Sequence, residues 1–381
     1  MNKEDVFWQT YLNLENELIE LTKYVFITDS PNKSGKSHQL ETFSPFLADL
    51  IVRISIEIES ISKELYFTNG GKNENGKPPR FDTVCLAYLD KMWNLQKKSV
   101  YLSSSLVNLT RKENNPIYPL LRASKGADKN YWIKCYQAVK HDRYNNLHLG
   151  NIKAVIQSLG ALYLLNIYLR KPHLILKYSE MNNVDMSFGS RLFSVSKPDA
   201  DNVLTVLNGN YSGTINRSFS SPFILKYTDS EFKRVIQLNR DSLDKEIDYL
   251  KKQPELSDEL FTNFINERSL AGKFDKTKLS DWFIALSLFR LLKKIPKTLA
   301  FEQRRALLIN TLEWKNRNSV IPTPKSNEIK EDNIDVEISS LATWTGYSIA
   351  NRFELTRINS GFSNAICEML LDTANVSYPK L

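Results

Sequence analysis

Apolar residues recur every three or four positions along most of the first 170 residues, which is the spacing that a helix needs to bury one face. The first such segment covers about residues 3–26. A second opens at Ser44-Pro45, an N-cap followed by a proline in the first turn, and runs to about Tyr66. A third is expected over 82–109, and a fourth, unbroken or with one break, over 128–170. The N-terminal part is therefore predicted to be a helical bundle.

The pattern changes after residue 171. Residues 172–228 carry short apolar runs separated by Asp, Asn, Gly, Ser and Pro, which is typical of short strands with tight turns. Helical spacing returns later, at 229–252, 282–292, 301–314 and 341–371, and 318–335 is expected to be a surface loop. The chain is thus predicted to be mainly α-helical, with an N-terminal helical domain (1–171), a short β-containing insert or linker (172–228) and a helical C-terminal domain of unknown role (229–381).

Composition places the chain among globular proteins. Of its 381 residues 42% are hydrophobic, which is enough to bury a core. Three cysteines without a CxxC pair indicate neither a disulfide framework nor a zinc site and favour the reducing cytoplasm. The acidic N-terminus argues against a signal peptide, and the longest apolar run, residues 159–169, is too short to span a membrane. We expect that run in the core and no membrane contact.

The net charge of +8 belongs to one segment. Residues 80–153 contain 13 Lys and Arg against 5 Asp and Glu, whereas the rest of the chain is balanced. A local excess of cations is the usual footprint of a polyanion partner. If nucleic acid binds, it should bind to this segment.

Other chemical signals are weak. Gly35-Lys36-Ser37 lacks the leading glycine of a phosphate loop and indicates a flexible polar loop. The four histidines lack zinc spacing, and no Gly-x-Ser-x-Gly motif is present, so no metal site and no cofactor are expected. Glu57 and Glu59 share a helix and are supporting candidates for acid/base chemistry. Pairing at i,i+4 with Arg53 and Lys63 explains these two carboxylates at least as well.

The densest group of reactive side chains lies in residues 130–148 (NYWIKCYQAVKHDRYNNLH). Trp132, Tyr136, Val139 and Leu147 can face the core at helical spacing, which directs the polar residues elsewhere. Those polar residues are Lys140, His141, Asp142, Arg143, Asn145 and His148.

Arg143 and His148, an Arg followed after four residues by a His in a helical domain, resemble the signature of HEPN domains. Lys-His-Asp-Arg at 140–143, followed by an apolar helix (NIKAVIQSLGALYLLNIYL), is similar to HEPN-like proteins of prokaryotic defence and abortive-infection systems. The resemblance covers roughly residues 1–170. The chain departs from the family at Tyr144, where a small polar or charged residue often follows the Arg.

The resemblance implies metal-independent cleavage of RNA by an anti-phage ribonuclease or toxin. Arg143 would bind and polarise the phosphate, and His148 or His141 would take the 2′-hydroxyl proton or protonate the leaving oxygen. The supporting or substrate-binding residues would be Lys140, Asp142, Asn145 and Tyr136. A homodimer through the N-terminal helices is also implied, and a partner protein of the same defence system is allowed.

Helix geometry leaves alternatives open. On an ideal helix Arg143 and His148 are about 140° apart, so they share a site only if the helix breaks near Asn145-Asn146 or if a dimer completes the site. His141 and His148 would align within about 20° and could line one groove. Two other interpretations remain. The polar patch could merely orient helices, or the domain could be a non-catalytic module that binds nucleic acid, a nucleotide or a protein, as a sensor, antitoxin or scaffold subunit.

Overall fold

A computed structural model describes residues 2–30, 39–73, 76–121, 131–198, 205–207, 210–212, 219–316, 328–357 and 365–373. The chain forms two compact units. The first comprises Met1–Phe232 together with Ile366–Leu381, and the second is Lys233–Ala365. The fold is mainly α-helical, as the sequence predicts.

Six helices are described in the first unit. They are α1 (Lys3–Leu21), α2 (Pro45–Thr68), α3 (Leu86–Trp93), α4 (Tyr131–His141), α5 (Arg143–Asn146) and α6 (Ile152–Arg170). The predicted start of α2 is confirmed, because the Ser44 hydroxyl accepts a hydrogen bond from the Leu47 amide at 3.1 Å and Pro45 occupies the first turn. The first helix ends at Leu21 and not at the predicted residue 26. The aromatic and β-branched residues that follow Leu21 lead into a strand.

The core of the first unit is centred on α6. Helices α1, α2 and α4 all pack against it, and every residue from Leu159 to Leu169 is buried, which confirms the prediction for this run. Each fully buried Leu or Ile contributes about 1.5–3 kcal/mol. By length and composition α6 could cross a membrane, but 89% of its most apolar window is buried inside the protein. It therefore serves as a core helix.

The prediction of one long helix over 82–109 was wrong. A π-helical turn (Phe81–Cys85) leads into α3, which ends where Asn94 takes a left-handed conformation with φ 51°. Two strands follow, β2 (Val100–Leu102) and β3 (Val107–Asn108), and β3 pairs in parallel with β1 (Ile27–Thr28). In β2 two buried residues flank an exposed one, which is the period of a strand and not of a helix.

Residues 172–228 contain short strands, as predicted, and these strands lie in the first compact unit. They are β4 (Leu174–Lys177), β5 (Phe193–Val195), β6 (Thr205–Leu207), β7 (Asn210–Ser212) and β8 (Phe223–Tyr227). Strand β5 pairs antiparallel with β2, and β6 pairs with β7. Strands β4 and β8 flank β9 (Ile366–Leu371) on its two sides, so the sheet order is β4-β9-β8 and both pairs are antiparallel.

The prediction of a helix over 341–371 was wrong for the second half of that range. Helix α11 (Ile334–Arg357) ends well before β9. In β9 Cys367, Met369 and Leu371 are buried and alternate with more exposed residues. This alternation with period two puts one face of β9 on the core.

Two buried charged residues tie the later strands to the first helices. The Glu15 carboxylate is fully buried and accepts a hydrogen bond from the Leu192 amide at 3.1 Å. The Lys98 ammonium is 1% exposed, donates to the Ser221 carbonyl at 2.8 Å and lies 3.4 Å from the Asp372 carboxylate. Buried charges require such partners, so these contacts hold residues after 172 in the first unit.

The second unit is helical throughout its described part. It contains α8 (Glu259–Leu270), α9 (Leu279–Lys294), α10 (Phe301–Asn316), α11 and most of α7 (Asp229–Lys251). The segments predicted at 229–252, 282–292 and 301–314 are confirmed, whereas α8 was not predicted. Helices α9 and α11 cross closely, since a Cβ on Gly346 would lie 2.6 Å from the Ile284 amide nitrogen.

Candidate functional site

The cluster of residues 140–148 is divided among three short elements. His141 ends α4, Arg143 begins α5, and His148 lies in a 3-10 turn (Leu147–Leu149) before α6. Each of these elements contacts the other two. The break that the sequence argument required is present, and it comes at Asp142, with a second change of helix type at Leu147. The predicted alignment of His141 with His148 on one continuous helix therefore does not apply.

The first break is fixed by Asp142, which is the N-cap of α5. Its backbone leaves the helical region, with φ −149°, and its carboxylate accepts hydrogen bonds from the Asn145 side-chain amide at 2.7 Å and from the Asn145 backbone amide at 3.2 Å. These donors hold the pKa of the Asp142 carboxyl below its usual range. The Asn146 side chain donates to the Asp142 carbonyl at 2.9 Å. Asp142 and Asn145 thus shape the turn.

The inner face of α4 packs as predicted. Trp132, Tyr136 and Val139 are each at most 1% exposed, and the Trp132 indole donates to the Pro119 carbonyl at 2.7 Å. Helix α4 lies against α2 and α6. The core therefore fixes the direction in which the C-terminal end of α4 presents its polar residues.

Lys140 is held on the edge of this packed face. Its ammonium donates to the Tyr136 hydroxyl at 3.1 Å and lies 5.3 Å from the centre of the same ring. The hydrogen bond to Tyr136 and, to a lesser degree, the charge of Glu59 raise the pKa of Lys140. Tyr136 thus positions a cation beside the cluster, and Glu59 lies near enough to act on it.

The two glutamates of α2 are separated by the structure. Glu59 pairs with Lys63 at 2.7 Å, as predicted, and is the one that acts on Lys140. Glu57 is 200° further round the helix, on the side where Arg53 pairs with α1. The expected pairing of Glu57 with Arg53 was wrong, because the guanidinium binds Glu17 at 2.6 Å and Asp49 at 2.9 Å. Partial burial raises the pKa of the Glu57 carboxyl.

The side chains of the proposed chemistry face solvent. His141, Arg143 and His148 are all exposed, and none of the three makes a side-chain hydrogen bond or ion pair with any part of the chain that the structure describes. Tyr144, between Arg143 and Asn145, is 93% exposed. The cluster therefore has two parts: Asp142, Asn145 and Asn146 bond to one another and shape the turn, whereas the guanidinium and the two imidazoles have no partner in the described chain.

The turn that carries His148 packs closely against α2. Gly150 lies so close to α2 that a Cβ there would be 2.6 Å from the Ala48 Cα. Asn151 caps α6 by accepting from the Ala154 amide at 2.9 Å, and its side-chain amide donates to the Tyr131 hydroxyl at 2.8 Å. Gly150 and Asn151 were not recognised in the sequence, although an Asn directly before an apolar helix is an N-cap signal.

Several other sequence candidates lie away from the cluster. Gly35-Lys36-Ser37 and His38 fall outside the described residues. His173 lies just before β4, and its ring nitrogen is 3.1 Å from the Glu368 carboxylate. Among the residues that the structure describes, no group of three or more His, Cys, Asp or Glu side chains is arranged to hold a metal ion.

Comparison of the chain with protein-family models, with curated proteins and with solved structures finds no match. A function must therefore be argued from the geometry of the cluster and from the chemistry of its residues.

Proposed function

We propose that the chain is a HEPN-type, metal-independent ribonuclease or toxin that acts on RNA in bacterial anti-phage defence, in the cytoplasm. The observation that carries the proposal is the exposure of His141, Arg143 and His148 without partners among the described residues, on a backbone that is itself capped and clamped. A guanidinium and two imidazoles held in this way are available to a ligand. Their position within residues 80–153, which account for the net positive charge, favours a polyanion.

The chemistry needs no group that these side chains lack. RNA supplies its own nucleophile, the 2′-hydroxyl, which attacks the neighbouring phosphorus while the bond to the 5′-oxygen breaks. One imidazole takes the 2′-hydroxyl proton, and a protonated imidazole gives a proton to the leaving oxygen, which yields a 2′,3′-cyclic phosphate and a 5′-hydroxyl. Arg143 would stabilise the charge that develops on the phosphoryl oxygens. Lys140, held by Tyr136, adds a second cation at the edge of the site.

A homodimer through the N-terminal helices belongs to the proposal. It would bring two copies of the cluster together, so that one protomer supplies the base and its partner the acid. Sedimentation of the full chain would measure this association. A dimer that survives at assay concentrations, together with loss of activity on dilution, is the expected result.

The test is cleavage of RNA by the full chain and by Arg143→Ala, His141→Ala and His148→Ala, with EDTA present. Loss of about 100-fold or more in rate is expected for Arg143→Ala and for at least one histidine variant. His173→Ala is the matched control, because His173 is half exposed and lies on the β4-β9-β8 side of the unit. Equal rates for the wild type and all cluster variants would contradict the proposal.

Binding without cleavage is a separate outcome. The logarithm of the affinity of a phosphate-binding surface falls linearly with the logarithm of salt concentration, whereas the affinity of an apolar protein interface is much less sensitive to salt. Salt-sensitive binding that depends on Arg143, with no cyclic phosphate under any condition, would replace the ribonuclease by a nucleic-acid-binding module. Absence of RNA binding would remove both.

A further inference from the structure

Tyr144 is an aromatic ring left in water at the centre of the cationic cluster. Its side chain is 93% exposed, whereas the other strongly exposed tyrosine in the described part of this unit, Tyr24 at 84%, lies outside the cluster. The neighbouring side chains in sequence are Arg143 and Asn145, and His141 and His148 lie on the adjoining elements. An exposed aromatic by itself has no special meaning. Here, however, the ring directly follows Arg143, whose guanidinium has no partner in the described chain.

The backbone under this ring is held firmly. The Asp142 carboxylate receives two hydrogen bonds from Asn145, and the Asn146 side chain donates to the Asp142 carbonyl. The tyrosine therefore lies inside a turn that is tied on both sides, while its ring makes no ring or hydrogen-bond contact with the described residues. This arrangement fixes the backbone from which the ring projects and leaves both faces of the ring available to a ligand.

A flat ring next to phosphate-binding cations matches a nucleotide whose base is unstacked. Proteins that bind single strands combine cations for the backbone with aromatic side chains on which bases stack. In a duplex the faces of the bases are already covered by their neighbours, so the ring would gain nothing there. The combination of an exposed guanidinium and the adjacent ring therefore favours single-stranded RNA over duplex RNA.

We propose that Tyr144 is the specificity-determining residue of this site, a platform on which an unpaired base next to the scissile phosphate stacks. The inference rests on the proposed function, because it assumes that Arg143 and the histidines contact RNA. It adds the substrate class and the residue that selects it. Tyr144 takes no part in proton transfer and acts by holding the nucleotide in place.

The test compares Tyr144→Ala, Tyr144→Phe and Tyr144→Trp in the full chain. The probes are a short fluorescent single-stranded RNA of mixed sequence and the same strand annealed to its complement. Tyr144→Ala should bind the single strand roughly 5- to 150-fold more weakly and the duplex with unchanged affinity, while the Phe and Trp variants keep the wild-type preference. Tyr24→Ala is the matched control, since Tyr24 is 84% exposed on a different turn and its neighbour Lys23 is already paired with Glu20.

Salt dependence separates stacking from charge. Stacking releases no counterions, so Tyr144→Ala should lower the affinity at every salt concentration and leave the slope of log affinity against log salt unchanged. Arg143→Ala should reduce the magnitude of that slope by about 0.7, which corresponds to one phosphate contact on a single strand.

Three results would overturn the inference. One is an affinity of Tyr144→Ala equal to that of Tyr24→Ala. Another is an equal loss on single-stranded and duplex RNA. The third is a loss of self-association in Tyr144→Ala with RNA affinity unchanged, which would make the ring a protein contact.

Failure of this inference can be told apart from failure of the proposed function. If Arg143→Ala lowers RNA affinity while Tyr144→Ala does not, the stacking role of Tyr144 is wrong and the proposed function stands. If the wild type binds neither RNA, the proposed function is wrong as well.

Discussion

Gly150 is the position where packing and the candidate site are most directly coupled. A Cβ at this residue would lie 2.6 Å from the Cα and from the Cβ of Ala48 and 2.9 Å from its amide nitrogen, whereas ordinary contacts are 3.4–4 Å. The Ala48 nitrogen and Cα belong to the α2 backbone and the Cβ is attached directly to it, so none of the three can rotate away. Gly150→Ala must therefore move the turn away from α2 by about 1 Å, and that turn carries His148.

The expected loss in the free energy of unfolding is the difference between two opposed effects. Overpacking of this kind costs about 1–3 kcal/mol, and replacing Gly by Ala gains back about 0.4–1 kcal/mol by restricting the unfolded chain. A net loss of about 1–2 kcal/mol corresponds to a fall in Tm of about 2–8 °C for a unit of this size. Because a displacement of 1 Å in a catalytic group can cost about 100-fold in rate, RNA cleavage should fall by much more than the loss of stability explains.

The assay is thermal unfolding by circular dichroism, together with RNA cleavage at a temperature where both proteins are fully folded. Gly346→Ala is the matched control, because a Cβ there meets the Ile284 backbone at 2.6 Å in the second unit. It should lower the unfolding temperature and leave cleavage unchanged. A Gly150→Ala protein with the Tm and cleavage rate of the wild type would refute the reasoning that this contact positions His148.

Two further predictions concern the fold of the first unit. Asp29 is 2% exposed; burial raises the pKa of its carboxyl, but amide donors from Thr110 and Arg111, both at 2.8 Å, outweigh this and hold the pKa below its usual range. The stability that Asp29 provides is therefore present above about pH 4 and is lost as the pH falls through the lowered pKa. Asp29→Asn should lower the free energy of unfolding by about 1–3 kcal/mol at pH 7 and flatten the pH dependence of urea unfolding below pH 4. An unchanged pH dependence of unfolding below pH 4 would contradict this. Replacing Lys233–Ala365 by a flexible Gly-Ser linker should leave the first unit folded, with a single cooperative unfolding transition. The reason is that the Thr228 amide donates to the Ile366 carbonyl at 3.1 Å, so the two chain ends that the linker must join lie close together. A circular dichroism spectrum of an unfolded chain would contradict this prediction.

The helices that the sequence predicts well are those whose ends and faces are both marked. Helix α2 has Ser44 and Pro45 at its start and one apolar stripe, so its boundaries are nearly the predicted ones. Most of helix α6 is buried, and its long apolar run is expected in the core because it is too short to span a membrane. Such signals are local, and they need no knowledge of partner elements.

The errors come from segments whose structure is decided by distant partners. Residues 100–102 form a strand because they pair with Phe193–Val195, which lies nearly a hundred residues later. Residues 366–371 form a strand because β4 and β8 offer two edges. A short apolar run fits a helix or a strand equally well until the partner is known, and periodicity over three to six residues cannot separate the two.

The residues of the candidate site could be found from sequence, but their individual tasks could not. Asp142, a supporting candidate, is a helix cap, and the pattern Asp-x-x-Asn at 142–145 is compatible with that role. Glu57 and Glu59 differ by 200° on a helix, so they could have been separated in advance. The exposure of Arg143 and both histidines depends on how α4, α5 and the turn before α6 pack, which no local pattern specifies.

The order of elements along the chain has a consequence for how the first unit is completed. Its three-stranded sheet has β9 in the middle, and β9 is synthesised after the entire second unit. The contact of Lys98 with Asp372 joins residues that are 274 positions apart. Contacts of such long range form late, because the loop must close before they contribute. Until residues 366–371 arrive, β4 and β8 each lack a neighbour in this sheet and present unpaired edges. The unit that carries the cluster is thus complete only when the second unit has already been made.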